Sequence, residues 1–163
     1  MADGPVLHLI CGKIAAGKST LAARLADAPG TVLIAEDAWL SALYGDQMQT
    51  GADYLRCSQR LQEVMGPHVA ALLAAGVSVV LDFPANTPDQ RRWMRDVIDR
   101  AGGAHQMHLL DLPDAVCLER LRARNASGAH PFAVTEEQFH RFTAHFVPPT
   151  VDEGFDILQH RAR

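Results

Sequence analysis

Two kinds of apolar pattern alternate along this chain. In the first kind, nearly every residue of a short segment is apolar, which is typical of strands buried on both faces of a sheet. In the second kind, apolar residues recur at helical spacing over a longer segment, which is typical of helices that bury one face. The alternation predicts an α/β protein in which a parallel sheet lies between two layers of helices.

The short apolar segments predict about five strands. They are Val6–Cys11, Thr31–Ala35, Val77–Leu81, His105–Leu110 and Phe155–Leu158. Strands that follow one another in sequence are often neighbours in space, so we expect the second strand to lie beside the first.

Helical periodicity fills the stretches between the strands. The predicted helices begin near Lys18, Ala38, Asp53, Thr87, Pro113 and Thr135. The third of them runs to about Ala75, and Gly76 is a typical stop signal. Gly66-Pro67 within it predicts a break or a kink, because proline removes a helical hydrogen bond. Residues Thr135 to Gln138 have the sequence of a capping box.

A glycine-rich loop separates the first strand from the first helix. Residues 12–19 read Gly-Lys-Ile-Ala-Ala-Gly-Lys-Ser and contain both lysines of the chain. They fit the phosphate-loop pattern G-x-x-x-x-G-K-[ST] in the strand–loop–helix context that the pattern requires. Main-chain N–H groups in such a loop point inward, and the helix dipole adds positive potential. The sequence therefore predicts a nucleotide site.

Each position of this loop has an expected role. The predicted nucleotide-binding residues are Gly12, Lys13, Ile14, Ala15, Ala16, Gly17, Lys18, Ser19 and Thr20. We expect Lys18 to act in catalysis by reaching the β- and γ-phosphates, and Ser19 to bind Mg²⁺. Lys13 occupies a position at which the pattern allows any residue. Its side chain is therefore expected either to be solvated at the rim of the loop or to contact a phosphate. The loop therefore predicts Mg²⁺ and a nucleotide that carries β- and γ-phosphates as ligands.

Acidic residues follow the strands at the edge where parallel sheets bind ligands. Asp37 is the predicted general base, accepting the proton of a hydroxyl that attacks the γ-phosphorus. Its alternative role is the N-cap of the helix that follows. Glu36 is the competing acid and should point to the opposite side of the strand end. Asp82 is predicted to hold Mg²⁺, directly or through water, and the alternative is a capped strand end. Asp111 is the weakest candidate among these acids, because an acidic residue just before Pro113 is also typical of a helix start.

Two groups of arginines suggest further contacts. Arg120 and Arg124 are four residues apart on one helix face, where they would stabilise the charge of a transferring phosphoryl group. A solvated basic face is the alternative. Arg91, Arg92 and Arg95 lie beside Trp93, and this second group is predicted to bind an anionic or stacked acceptor. Arg91 and Trp39 are the predicted substrate-binding residues. Salt bridges on an exposed face are the alternative for this second group.

Composition narrows the range of functions. The chain has 163 residues, which predicts one domain over residues 1–163, and its net charge of −4 argues against nucleic acid or a membrane surface as partner. Its three cysteines show no metal spacing, so we expect reduced, buried thiols in a cytoplasmic protein. The N-terminal apolar run is short for a signal peptide or a membrane span. Oligomeric state is not indicated.

Several motifs together resemble one known group of enzymes. Residues 12–20, the strand before Asp37, residues 79–82 and residues 118–124 are similar to the P-loop kinases of the AAA_33 type, which include chloramphenicol phosphotransferase, zeta toxin and polynucleotide 5′-kinase. The resemblance extends to the segment 146–155. It implies a three-layer P-loop NTPase fold, a five-stranded parallel sheet, a small helical lid at about 118–134, and ATP as donor. It places the base at Asp37 and lid arginines at Arg120 and Arg124.

The sequence thus predicts an ATP-dependent kinase whose acceptor is a hydroxyl of an unidentified small molecule. The acceptor should lie between the helix after Asp37 and the region 83–95. One alternative is a polynucleotide or nucleoside 5′-hydroxyl kinase, although Leu40 stands where polynucleotide kinases often carry an arginine. The other is a regulatory ATP-binding protein that transfers no phosphate. The GTPase motif Asn-Lys-x-Asp does not occur, because both lysines lie in the phosphate loop.

Overall fold

Five parallel strands form one sheet in the computed structural model, which describes residues 4–128 and 134–161. The strands are β1 (Val6–Gly12), β2 (Thr31–Ala35), β3 (Ser78–Asp82), β4 (Ala104–Asp111) and β5 (Ile157–Arg161). Their order across the sheet is β2-β3-β1-β4-β5, and every neighbouring pair is parallel. The predicted five-stranded α/β fold is confirmed.

Six α-helices flank the sheet within the described residues. They are α1 (Lys18–Ala26), α2 (Glu36–Tyr44), α3 (Gly51–Ala74), α4 (Pro88–Ala101), α5 (Asp114–Ser127) and α6 (Glu136–Ala144). Side chains of β1 alternate between two cores: Leu7 and Leu9 pack with α3 and α4, whereas Ile10 packs with α1. Within the described residues, no helix combines the length and apolarity needed to cross a membrane.

The position of β2 corrects the prediction that it neighbours β1. The strand β3 lies between them, with Leu7 of β1 opposite Val79 and Val32 of β2 opposite Val79 from the other side. The residues Val79, Val80 and Leu81 are fully buried, whereas Val32 and Leu33 of β2 are about 40% exposed. A central strand must be apolar on both faces, so β3 takes the inner place and β2 the edge.

The long helix α3 is continuous through Pro67, so, of the predicted break or kink, the break is wrong. Met65 and Val69, on either side of the proline, are almost completely buried in the main core. Their packing holds the helix together where proline removes one hydrogen bond. Gly76 follows the helix with a φ of 87°, and this left-handed conformation ends it as predicted.

The starts of α4, α5 and α6 follow their sequence signals, whereas α2 and α3 each begin two residues before the predicted Ala38 and Asp53. Thr87 caps α4 by accepting a hydrogen bond from the Gln90 N–H, and Thr135 forms a capping box with Gln138 at the start of α6. Pro113 precedes α5 directly. The last strand begins at Ile157, two residues later than predicted, and Phe155 instead packs edge-on against the His105 ring.

A second apolar cluster joins the phosphate loop to α5 and α6. Its buried members are Ala16, Leu112, Cys117, Leu121 and Phe139. Ala16 belongs to the loop itself, so the two C-terminal helices pack directly on it. All three cysteines are free and buried.

A row of three histidines crosses β1, β4 and β5. His8 Nδ1 lies 3.0 Å from His108 Nε2, and His108 Nδ1 lies 2.9 Å from His160 Nε2. His108 is only 2% exposed. Burial, and then the neighbouring His8 and His160, lower the pKa of His108 to about 4. The central ring is therefore neutral at pH 7 and bonds to a histidine on each side.

Candidate active site

The phosphate loop presents main-chain donors at the start of α1. Gly17 is the N-cap of α1 with a φ of 98°, and no side chain caps the helix. Within the loop, the Ala16 N–H donates to the Lys13 carbonyl at 3.1 Å, and Ala15 has a φ of 62°. An uncapped helix start leaves N–H groups of its first turn for an anion. The loop geometry therefore fits a phosphate group.

Lys18 lies across the loop that precedes it. Its Nζ donates to the Gly12 carbonyl at 2.6 Å and to the Lys13 carbonyl at 3.0 Å. An ammonium group has three N–H donors, so one more remains for a phosphate oxygen. Burial lowers the pKa of Lys18, while the carboxylates of Asp82 and Asp37 favour its charged form. The predicted catalytic lysine and the two predicted acids thus act on one another electrostatically.

Lys13 is held at the start of α5. Its Nζ forms an ion pair with Asp114 at 2.6 Å, contacts the Leu112 carbonyl at 3.4 Å and lies 5.5 Å from the centre of the Phe146 ring. Its side chain is 21% exposed. Lys13 therefore links the phosphate loop to α5, and any phosphate contact would compete with Asp114.

Asp82 and Asp37 end two neighbouring strands. Asp82 is the last residue of β3 and is opposite Ala35 of β2, two residues before Asp37. Burial raises the pKa of Asp82, and the nearby Lys18 opposes that shift. Asp37 is exposed in the first turn of α2. The N-cap of α2 is Ala35, so the alternative role of Asp37 as a helix cap is wrong.

Glu36 points into the protein, away from exposed Asp37. It is only 2% exposed, and its two carboxylate oxygens accept hydrogen bonds from Tyr54 Oη at 2.5 Å and Ser58 Oγ at 2.9 Å. Burial raises the pKa of Glu36, and the two hydroxyl donors oppose that shift. Glu36 therefore anchors α3 to the end of β2, which leaves Asp37 as the acid exposed at the site.

Two cavities lie beside these acids, with Tyr54 as a shared wall. The first, the Asp37 cavity, has a volume of about 360 Å³. Its other lining residues are Leu40, Ser41, Gly45, Met48, Gln49 and Thr50. The second, the Glu36 cavity, has a volume of about 160 Å³ and lies between α3 and the start of α4, where Asp89 and Gln90 line it. A larger cavity of about 460 Å³ between α3 and α4 contains no residue of the phosphate loop or the strand ends.

Arg120 reaches the phosphate loop from α5. A Cβ placed on Gly17 would lie 3.7 Å from Arg120 Nη1, so the guanidinium stands over the loop. Arg124 is one turn further along α5, and its buried Nε has no hydrogen-bond partner among the described residues. Arg122, between them, is instead paired with Glu136 of α6. Residues 129–133 of the predicted lid lie outside the described part of the chain.

The placement of Arg91 does not fit the predicted contact with an acceptor. Its side chain is fully buried, and Nε donates to Glu153 at 2.7 Å. Its Nη1 donates to the Ala85 carbonyl at 2.8 Å. Arg91 therefore holds the segment that precedes β5 against the start of α4. The alternative of exposed salt bridges applies to its neighbours, where Arg92 pairs with Asp89 and Arg95 with Asp99.

Trp39 lies on α2 but is not among the residues that line the Asp37 cavity. Its side chain is 40% exposed. The helix turns Leu40 and Ser41 toward the cavity, because positions three and four after Asp37 share its face. The predicted contact of Trp39 with the acceptor therefore does not follow from this structure.

Asn86 is a site residue that the sequence reading missed. Its Oδ1 accepts a hydrogen bond from the Gly12 N–H at 3.1 Å, and its carbonyl accepts one from the Val147 N–H at 2.9 Å. Its own N–H donates to Gln90 Oε1 at 2.9 Å. Asn86 thus links two segments that are remote in sequence, the start of the phosphate loop at Gly12 and the segment at Val147. A polar residue four positions after the end of β3 was the available signal.

Ser19 and Asp82 carry oxygen ligands of the kind that Mg²⁺ prefers in proteins. The ion usually binds one or two protein oxygens and completes its shell with phosphate oxygens and water. Ser19 is exposed in the first turn of α1, and Asp82 is close enough to Lys18 to influence its pKa. Among the described residues, no group of three or more His, Cys, Asp or Glu could form a metal cage. A bound nucleotide would have to supply the remaining ligands.

A protein-family model, AAA_33, described as an AAA domain, matches residues 7–149. None of the curated proteins compared with the chain matches it.

Solved kinase structures share the fold. A candidate kinase from Chloroflexus aurantiacus is 20% identical with a TM-score of 0.73, over 96% of this chain and 85% of that one. A sugar kinase from Janibacter sp. HTCC2649 is 19% identical with a TM-score of 0.67, over 97% and 85% of the two chains. The APS kinase CysC of Mycobacterium tuberculosis, in complex with AMPPNP and APS, is 20% identical with a TM-score of 0.63, over 97% and 88%. The fold is therefore that of P-loop kinases.

Proposed function

Because this chain belongs to the AAA_33 family, we propose that it is a kinase that transfers the γ-phosphate of ATP to a hydroxyl group of a small molecule. One observation carries the proposal: an uncapped phosphate loop, its lysine and an exposed carboxylate meet at one edge of the sheet beside a cavity. The relatives described as a sugar kinase and an APS kinase support a small-molecule acceptor.

The donor side of the proposed site would bind the triphosphate. The N–H groups at the start of α1 and the Lys18 ammonium favour the β- and γ-phosphates. Arg120 stands over the same loop, where its guanidinium would stabilise charge on the transferring group. Arg124 has a buried, unpartnered N–H within the described residues and is the second arginine proposed for this role.

Ser19 and Asp82 are the residues proposed to hold Mg²⁺, Asp82 directly or through water. Bound Mg²⁺ supplies positive charge at the phosphates. Burial already raises the pKa of Asp82, and this carboxylate is influenced by the Lys18 charge. The chain would then contribute the Ser19 hydroxyl and, directly or through water, the Asp82 carboxylate to a shell completed by other ligands.

Asp37 is the proposed general base. The acceptor oxygen forms a bond to the γ-phosphorus, its proton passes to the Asp37 carboxylate, and the bond from the γ-phosphorus to the leaving ADP oxygen breaks. Asp37 suits this task because it is exposed and lines the 360 Å³ cavity, whereas Glu36 is buried with both oxygens occupied. The cavity lies within the size range of small-molecule sites.

The experiment is a transfer assay with γ-labelled ATP and a panel of sugars, nucleosides and amino alcohols. We expect label to appear in at least one acceptor and to be lost with Asp37→Asn. Binding of ATP with no label in any acceptor would contradict the kinase and favour a regulatory nucleotide binder. Label in a 5′-hydroxyl oligonucleotide alone, with strong salt dependence, would favour a nucleic-acid kinase instead.

A further inference from the structure

The two cavities beside Tyr54 have acidic and neutral walls. In the Asp37 cavity, Asp37 is the charged lining residue, and the remaining walls are hydroxyl, amide and apolar groups. In the Glu36 cavity, the acidic lining residues are Glu36 and Asp89, and glutamine, serine, tyrosine and apolar side chains complete the lining. No arginine, lysine or histidine lines either cavity within the described residues.

Three arginines close in sequence to the lining residues are paired with acids, and one of those acids, Asp89, itself lines the Glu36 cavity. Arg56 pairs with Asp53 at 3.1 Å, and Arg92 pairs with Asp89 at 2.5 Å on the exposed surface. Arg91 is buried and holds Glu153. Among the described residues, none of these guanidinium groups is itself a lining residue. Arg92 offsets the charge of Asp89, whereas an anionic acceptor would meet the Asp37 and Glu36 side chains with no basic side chain in either lining.

The geometry points to an acceptor alcohol that is uncharged or positively charged, and to a site that discriminates against alcohols bearing phosphate, sulfate or carboxylate. This inference rests on the proposed function, because it assigns the acceptor of that same site. Like charges across a binding surface penalise the wrong partner, and amide and hydroxyl walls suit hydroxyl or ammonium groups. The positive groups of the site would serve the nucleotide, whose phosphates need them.

A charge-probe experiment measures the cavity potential without any knowledge of the acceptor. Ser41, which lines the Asp37 cavity, is replaced in S41C, and labelling rates are compared for cationic and anionic methanethiosulfonate reagents of similar size. The native cysteines are buried, so the new thiol is the reactive one. A42C on the same helix is the matched control, since Ala42 is exposed and does not line the cavity.

We expect the ratio of cationic to anionic labelling rates to be at least about tenfold higher in S41C than in A42C at low salt. The ratio should fall when Asp37→Asn is added to S41C and when the salt concentration is raised. Equal ratios in the two variants would overturn the acceptor class, and would leave the proposed phosphate transfer untouched.

The second arm uses matched acceptors: glucosamine, glucose and glucuronate, and adenosine with adenosine 3′-phosphate. We expect kcat/KM to be at least about tenfold lower for the anionic member of each set. Transfer that prefers an anionic member would overturn the acceptor class while supporting the kinase. ATP binding with no transfer to any member would overturn the kinase and with it the acceptor class, whatever the labelling shows.

Discussion

The donor and acceptor sides of the candidate site are built differently. The phosphate-binding core of the donor side comes from one continuous segment, residues 12–20, in which main-chain groups and Lys18 bond within the loop itself. Arg120 and Arg124 of α5 are proposed to complete it. The acceptor side is assembled from α2, α3 and the start of α4, which lie far apart in sequence. The contrast teaches that local chemistry can specify phosphate recognition, whereas acceptor recognition depends on how separate helices meet.

The sharpest test of this contrast compares two adjacent acids on the acceptor side. We expect Asp37→Asn to lower kcat by about 10³-fold, or about 4 kcal/mol of barrier, because the general base is lost. ATP affinity, measured by calorimetry, should stay within about threefold, since the donor side is unchanged.

The matched control is Glu36→Gln, which keeps a hydrogen-bond acceptor for Tyr54 or Ser58. It should lower the free energy of unfolding by about 1–2 kcal/mol because the amide cannot accept both bonds equally well. Its kcat should remain within about threefold. A larger kcat loss in Glu36→Gln than in Asp37→Asn would reverse the assignment of the base.

The second test asks how much the buried ion pair behind the site contributes to stability, compared with an exposed pair on the same helix. Arg91→Met should lower the free energy of unfolding by about 3 kcal/mol, because Glu153 and the Ala85 carbonyl lose their buried donor. Arg92→Met, which removes an exposed pair with Asp89, should cost less than about 1 kcal/mol. Urea unfolding of both variants measures the difference, and equal losses would show that the buried pair has no special weight.

The third test concerns the histidine row, which lies away from both halves of the site. Burial holds the pKa of His108 at about 4, below its ordinary value of 6.5, so its stabilising contribution is fully present above about pH 6.5. As pH falls toward 4, the unfolded chain binds the proton first, and about 3 kcal/mol of stability is lost.

Measuring the free energy of unfolding from pH 7 to pH 4 in the wild type and in His108→Gln isolates the pH-dependent contribution of His108 to stability. The variant should show a shallower fall with pH, while His68→Gln, at an exposed position, should match the wild type. Parallel curves for the wild type and His108→Gln would remove the histidine row as a source of pH dependence.

The smallest expected effect distinguishes the two lysines of the donor side. Lys18→Ala should weaken ATP binding by about 10- to 100-fold, since it removes a charged hydrogen bond to the phosphates. Lys13→Ala should change affinity by less than about threefold, because Lys13 is paired with Asp114. Calorimetry with a non-hydrolysable ATP analogue gives both values, and equal losses would make Lys13 a phosphate ligand too.

The helix boundaries and most strands could be predicted because their signals are local. Thr87-Pro88, Gly76 and the Thr135 capping box act within one helical turn, so the chain context does not override them. The break predicted at Pro67 failed because packing of α3 against the core outweighs one lost hydrogen bond. The sequence rule for proline gives the free-energy cost of the lost hydrogen bond, but it does not include the stabilisation from burying the rest of the helix.

The positions of single polar residues could likewise be predicted only where local structure fixes them. Asp37 stands exposed at the sheet edge where it was expected, because strand ends and helix starts fix the place of the next residue. Arg91 was expected at an acceptor and lies buried instead, because Glu153, 62 residues later, meets it inside the protein. Asn86 was overlooked for the same reason, since its partners come from residues remote in sequence.

The sequence alone determined that the chain forms a phosphate loop between a buried strand and a helix, since those residues carry both the backbone freedom and the charge that the loop needs. It also determined an α/β fold, because each segment shows the periodicity of its own burial. Only the tertiary structure decided that β3 lies beside β1, and which acids remain exposed. Strand order and burial result from competition among distant segments for the same core, and no single segment contains that information.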